Sequence, residues 1–209
     1  MPTDTPLHKA SHNGDLRTGK FAILLVNYSV LTLDPNHPPP PPLPSHSTVQ
    51  AIIDEESRIE EKVNAPGASE RRPLHRAVGG DHTQVVKVLL EAGANVDAPD
   101  KSGRTALHWS SLNGSVESAE ILLKAGANPL STTTSKLTPL HFSAENGKAS
   151  IVPHLAVAAG DKKINLFQAE SSDGKTAAAL AKENKHKDVI KALKDAGDPA
   201  AAGGGCVIL

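Results

Sequence analysis

The chain has 209 residues, with 22 Lys and Arg against 23 Asp and Glu, 2% aromatic residues and one cysteine. The balanced charge gives no field that would gather nucleic acid or an anionic membrane, and so few aromatic rings leave no base-stacking platform. A single cysteine rules out a disulfide framework and a cysteine-based zinc site, so Leu, Ala and Val must build the core.

Residues 1–16 are polar and carry no secretory signal pattern. The longest apolar run, 21–33, spans about 13 residues and is interrupted by Asn27, Tyr28 and Ser29. It falls short of the roughly 20 residues a spanning helix needs, so the chain is expected inside a cell. Thr5-Pro6-Leu7-His8 opens a first helix that should end near Asn13-Gly14, and Val49-Gln50-Ala51-Ile52-Ile53-Asp54-Glu55 reads as the second helix of the same unit. The piece between them, 19–48, has no helical period and carries a proline tract from Pro38 to Pro44. The codons of Gly19-Lys20-Phe21 can spell a splice donor (GGT-AAG-TT), Leu31-Thr32 can hold a branch sequence, and Thr48-Val49 can hold an acceptor in the same phase. The segment is therefore expected to be translated, unspliced intron. The functional alternative is a polyproline ligand for an SH3 or WW domain, which the lack of a flanking basic residue weakens; the plain alternative is a disordered surface loop.

The opening tetrad recurs. Arg72-Pro73-Leu74-His75, Thr105-Ala106-Leu107-His108 and Thr138-Pro139-Leu140-His141 follow one another at about 33 residues. Thr105 and Thr138 can cap free N–H groups, and Pro73 and Pro139 suit a first helical turn. A Gly or Asn-Gly pair then turns the chain into a second helix with an apolar stripe, Val85-Val86-Lys87-Val88-Leu89-Leu90 or Ser118-Ala119-Glu120-Ile121-Leu122-Leu123. Gly93 and Gly126 are expected as left-handed caps. An Asn/Asp-rich link leads on to a β-turn such as Asp100-Lys101-Ser102-Gly103. No unit can bury its stripe alone, so neighbours must stack.

On these residues the chain resembles the ankyrin-repeat family, which implies an all-α solenoid of about five helix-turn-helix units with β-turn fingers. The expected divisions are 1–18 and 49–67 for the two halves of the first unit around the 19–48 insertion, then 68–100, 101–133 and 134–170. A capping unit at 171–199 and a flexible tail at 200–209 complete them. The resemblance implies that the tetrad histidines hydrogen-bond backbone across units. One histidine per unit supplies no second or third metal ligand. The resemblance also implies that protein partners dock on finger tips and on the concave face. At matching positions these are Ser69, Arg71, Gly79 and Gly80, then Lys101, Ser102, Arg104, Leu112 and Asn113, then Thr134, Ser135, Leu137, Glu145 and Asn146. Trp109 is expected to pack against a neighbour rather than to anchor a partner.

Three departures mark the C-terminal half. Lys136 stands where a finger glycine is usual, Pro153 lies inside the expected second helix and should kink it or delay its start, and an irregular finger is expected near residues 161–172. The last unit has a Lys-rich second helix, 188–196, with Val189, Ile190 and Leu193 inward, as a terminal cap requires. Cys206-Val207-Ile208-Leu209 reads as a C-a-a-X signal, with Leu209 favouring geranylgeranyl on Cys206. One lipid chain gives reversible attachment.

No nucleophile elbow is present, and Gly174-Lys175-Thr176 lacks the upstream glycine of a P-loop. The expectation is a monomeric protein-binding adaptor or scaffold, not an enzyme, with no cofactor, metal or nucleic acid, part of it on cytosolic membrane faces. The alternative is a soluble, unprenylated regulatory or assembly subunit of one complex.

Overall fold

The structure is a computed structural model that describes His12 and residues 60–202. The expectations for the rest of the first unit, the 19–48 insertion and Cys206 lie outside the described residues. Among the described residues there is no strand; His12 and residues 60–64 are helical, and nine further α-helices follow. In chain order these are α1 (Pro73–Gly79), α2 (Thr83–Glu91), α3 (Ala106–Asn113), α4 (Val116–Lys124) and α5 (Pro139–Glu145). They are followed by α6 (Val152–Ala159), α7 (Lys163–Gln168), α8 (Ala177–Glu183) and α9 (Lys187–Asp195). The inner helices stack as α1, α3, α5 and α8, the outer helices as α2, α4, α6 and α9, and each unit pairs one of each. This is the all-α solenoid that the period implies.

Local chemistry sets the helix ends. Pro73 and Pro139 occupy the first turns of α1 and α5, where the missing N–H has no intrahelical partner to lose. Thr105 and Thr138 adopt extended backbone and accept the third N–H of α3 and α5. The outer helices stop at glycines in the left-handed region, Gly93 at φ 83° and Gly126 at φ 91°. Small inner-helix residues allow close stacking: Ala77, Ala106, Ala144 and Ala177 are buried between rows, with Val86, Leu122, Leu155 and Leu193 of the outer helices closing the same continuous core. Each such buried Leu contributes roughly 1.5–3 kcal/mol.

Pro153 delays its helix. α2 and α4 begin eight residues after the tetrad histidines, at Thr83 and Val116, but the matching residue Ala149 starts a 3-10 turn, Ala149–Ile151. α6 begins only at Val152, with the proline in its first turn. The irregular finger expected near 161–172 is not what forms. A 3-10 turn, Gly160–Lys162, leads into the extra helix α7, which buries Leu166 and Phe167 between α6 and α8. The finger that follows is regular, with Ser171 N–H donating to the Lys175 carbonyl at 3.0 Å. In α9, Val189 and Leu193 are buried while Ile190 is half-buried. Beyond it the turn through Ala202 still packs on the last unit. Asp198 accepts the Ala200 N–H at 2.8 Å, and Lys182 donates to the Ala200 carbonyl at 2.9 Å.

His12 stacks at the other end. Its carbonyl accepts the Nε2–H of His82 at 2.7 Å. The Glu145 carbonyl takes His186 in the same way at 3.0 Å.

Candidate functional site: the finger edge and concave face

The fingers are joined through backbone. Within each, an N–H donates across the turn: Asp100 to the Arg104 carbonyl at 2.8 Å and Thr133 to that of Leu137 at 3.0 Å. Between fingers, Lys101 donates to the Ser69 carbonyl at 3.0 Å, Thr134 to Ser102 at 3.1 Å and Ser172 to Ser135 at 3.0 Å. Four of the serines and threonines expected to meet partners, Ser69, Ser102, Thr134 and Ser135, therefore have their backbone committed to this edge, and their side chains stand on a fixed frame. Asp100, only 5% exposed, braces its finger from beneath: Oδ1 accepts the N–H groups of Ser102 and Arg104 at 2.8 and 3.0 Å.

The tetrad histidines lock this edge to the inner helices. Nδ1 of His75, His108 and His141 accepts the backbone N–H of Arg72, Thr105 and Thr138 at 2.9, 3.0 and 3.1 Å. With Nδ1 so used, Nε2 carries the proton. It donates to the carbonyls of Ala98, at the end of its own unit, and of Leu137 and Lys175, each in the next unit, at 2.9, 3.0 and 3.1 Å. Burial pushes the pKa of His75 and His108 down to about 4 and lowers that of His141. These are neutral structural clamps, and among the described residues no three His, Cys, Asp or Glu side chains gather in a way that could hold a metal ion.

The residues expected at the partner surface divide into two groups. Ser69, Gly79, Lys101, Asn113, Thr134, Ser135, Glu145 and Asn146 are exposed, and Arg71, Gly80, Ser102, Arg104, Leu112 and Leu137 are half-buried. Asn113 has structural work of its own: its amide reaches back to the Val78 and Gly79 carbonyls at 3.3 and 3.2 Å, tying α3 to α1. Asn146 bonds within its own unit, to the Phe142 carbonyl at 2.8 Å.

Trp109 lies half-buried at the edge of the core and faces the concave side. The guanidinium carbons of Arg71 and Arg104 lie 4.3 and 4.8 Å from its ring centroid. This stack joins two arginines from successive fingers to one ring, and pairwise reading of the sequence missed it. The signal that could have found it is register: Arg71 and Arg104 hold the same place in their units, and Trp109 follows Arg104 by five residues, in the first turns of α3. A second concavity lies on the outer row. It is a shallow groove between α4 and α6 lined by Leu123, Pro153, Val157 and Ala158, with Glu120 and His154 paired at 3.3 Å.

The family model for ankyrin repeats (three copies) matches residues 44–133. No curated protein matches the chain. Over those residues the chain is similar to ankyrin repeats, the described residues form an all-α solenoid consistent with them, and repeats of this kind suggest a protein-interaction module.

Proposed function

We propose that the chain is an adaptor or scaffold that holds a protein partner on its concave face and fingers, and that a geranylgeranyl group on Cys206 brings it reversibly to cytosolic membrane faces. The observation that carries the binding half is the bonded finger edge from Ser69 through Ser102 to Ser135. It sets Lys101, Thr134 and Ser135 on one rigid front beside exposed Asn113, Glu145 and Asn146. A pre-ordered surface avoids the entropy cost of ordering side chains and loops when a partner arrives. The lipid half is supported by Cys206-Val207-Ile208-Leu209, the one cysteine of the chain followed by aliphatic residues and Leu. Among the described residues no helix is long and apolar enough to cross a membrane.

The test is fractionation of cells expressing the wild type and Cys206→Ser, with intact masses of both. A geranylgeranyl mass and membrane pelleting in the wild type alone support the anchor. An unmodified wild type that stays in the supernatant removes the lipid half and leaves the binding half standing.

A further inference from the structure

We propose that the groove on the outer row between α4 and α6 shelters the geranylgeranyl group of Cys206 when the chain is off the membrane. The proposal rests on the lipid reading above and gives that lipid a place to lie in water.

The groove has the lining an isoprenoid needs. Pro153 and Val157, one turn apart on α6, form one wall with Ala158, and Leu123 at the end of α4 forms the other. Its volume is about 520 Å³, inside the roughly 300–1,000 Å³ of sites that take small apolar ligands. Val157 is 81% exposed, so an apolar side chain stands in water along the groove with nothing of the described residues covering it. The charged groups at the rim are paired with one another. The Glu120 carboxylate reaches His154 at 3.3 Å and Lys124 at 3.7 Å, so no lone charge faces the apolar floor. The groove is on the outer row, away from the concave face of the inner helices, and a lipid lying there leaves the fingers free for a protein partner.

The chain leaves the last unit at the edge where this groove opens. Leu123 and Lys124 close α4, Val157 and Ala158 lie in the last turn of α6, and Gly197 follows the end of α9 by two residues. All sit at the C-terminal ends of outer helices. A Cβ on Gly197 would lie 3.7 Å from Nζ of Lys163, the first residue of α7, which continues from α6 at the same edge. α9 packs on α6, so the midline of the groove is about one and a half helix spacings from α9, roughly 15 Å. Cys206 comes four residues after Ala202, a reach of about 14 Å before the lipid begins, and the isoprenoid adds length beyond that. Gly203, Gly204 and Gly205 fill the stretch and put no side chain in the way of a turn back along the row.

The test attaches the lipid in vitro to the full chain, whose one cysteine is Cys206. A benzophenone-bearing isoprenoid on Cys206 is irradiated in buffer and its crosslinks are mapped by mass spectrometry, in the wild type and in Val157→Glu. Urea midpoints check that the variant folds, as an exposed position should allow. Expected are crosslinks within one chain to residues 120–124 and 153–158, lost in the variant. With a plain geranylgeranyl thioether instead, Val157→Glu should partition into neutral phosphatidylcholine vesicles about tenfold more strongly. That is the effect of freeing a lipid sheltered about nine-tenths of the time. Crosslinks outside the groove, crosslinks between two chains, or equal partitioning of the two forms overturn the sheltering and leave the lipid reading in place. Cells that leave Cys206 unmodified overturn the lipid reading and this proposal with it, by a readout separate from the failure of the groove.

Discussion

Acid should unfold this solenoid through its own clamps. His75 and His108 have folded pKa values pushed down to about 4 by burial, against 6.5 in an unfolded chain. Above pH 6.5 neither state holds the extra proton. Between 6.5 and 4 the unfolded chain binds it and the folded chain does not, so stability falls as pH drops through that window. Near pH 4 the folded protein is protonated too, and the slope ends. Each histidine contributes a slope of about 1.4 kcal/mol per pH unit, on the order of 3 kcal/mol across the window. His141, also lowered by burial, adds to the same sign. That is a large part of the roughly 5–15 kcal/mol of a typical domain. The assay is urea unfolding at pH 7.0, 6.0, 5.4 and 4.8 for the wild type and His108→Gln. Glutamine keeps a neutral donor and acceptor but does not titrate. The variant should be less stable at pH 7 and show a slope shallower by about 1.4 kcal/mol per pH unit. Asp198, whose pKa burial raises, acts in the opposite direction but equally in both proteins, so it cancels in the difference. A wild type with no slope over this range, or a variant with the same slope as the wild type, would refute the assignment of these histidines as neutral clamps.

Other outcomes follow from the backbone. Lys136 sits at φ 57° where the neighbouring fingers use Gly103 at φ 78° and Gly174 at φ 70°. Lys136→Gly should therefore stabilise by about 1 kcal/mol, read as a higher urea midpoint. Gly103→Ala should do the reverse and cost more, about 2 kcal/mol. It must hold the left-handed conformation, and its Cβ would meet the Thr134 backbone nitrogen at 2.9 Å, so the fingers must part. Leu122→Ala, at a fully buried outer-helix position, should cost roughly 2–5 kcal/mol in the same assay.

What the sequence made legible was whatever recurs with the period. Tetrad histidines, capping threonines and outer stripes each appear several times, and each repetition tests the others. Lys136 was legible too, because a missing glycine shows against its neighbours. Helix α7 was not: it is six residues long, and its two buried residues, Leu166 and Phe167, show no helical period by themselves. Only the space between α6 and α8 makes them a helix. The Arg71–Trp109–Arg104 stack was hidden for a related reason. It joins residues of two units, and the pairing depends on how far one finger overhangs the next inner helix. Asn113 was read as a partner contact from its place on the inner helix of its unit, and its amide is also held by the carbonyls of the preceding helix. Position on the concave face alone does not separate a docking residue from one that ties units together.

The contact between His12 and His82 bears on what precedes the second unit. Glu145, whose carbonyl takes His186, lies four residues after tetrad His141; Gly79, whose carbonyl takes Asn113, lies four after His75. His12 lies four after His8 and takes His82 in the same manner. Its register is that of an inner helix directly against α1, with no unit interposed. Gly80 is shaped for this neighbour, since a Cβ there would come within 2.8 Å of the His12 carbonyl oxygen. On that register, deleting residues 19–48 should leave a folded chain. Shortening the connection from His12 to Glu60 lowers the loop-closure cost by roughly 1 kcal/mol, so the deletion should raise the urea midpoint slightly. Gly80→Ala should lower it in both forms, and amide exchange in α1 should report the same loss. A deletion that instead loses several kcal/mol, or leaves α1 amides unprotected, would mean that those residues complete a unit of the stack. Sequencing the transcript and its gene across the segment then asks the separate question of whether it is spliced out.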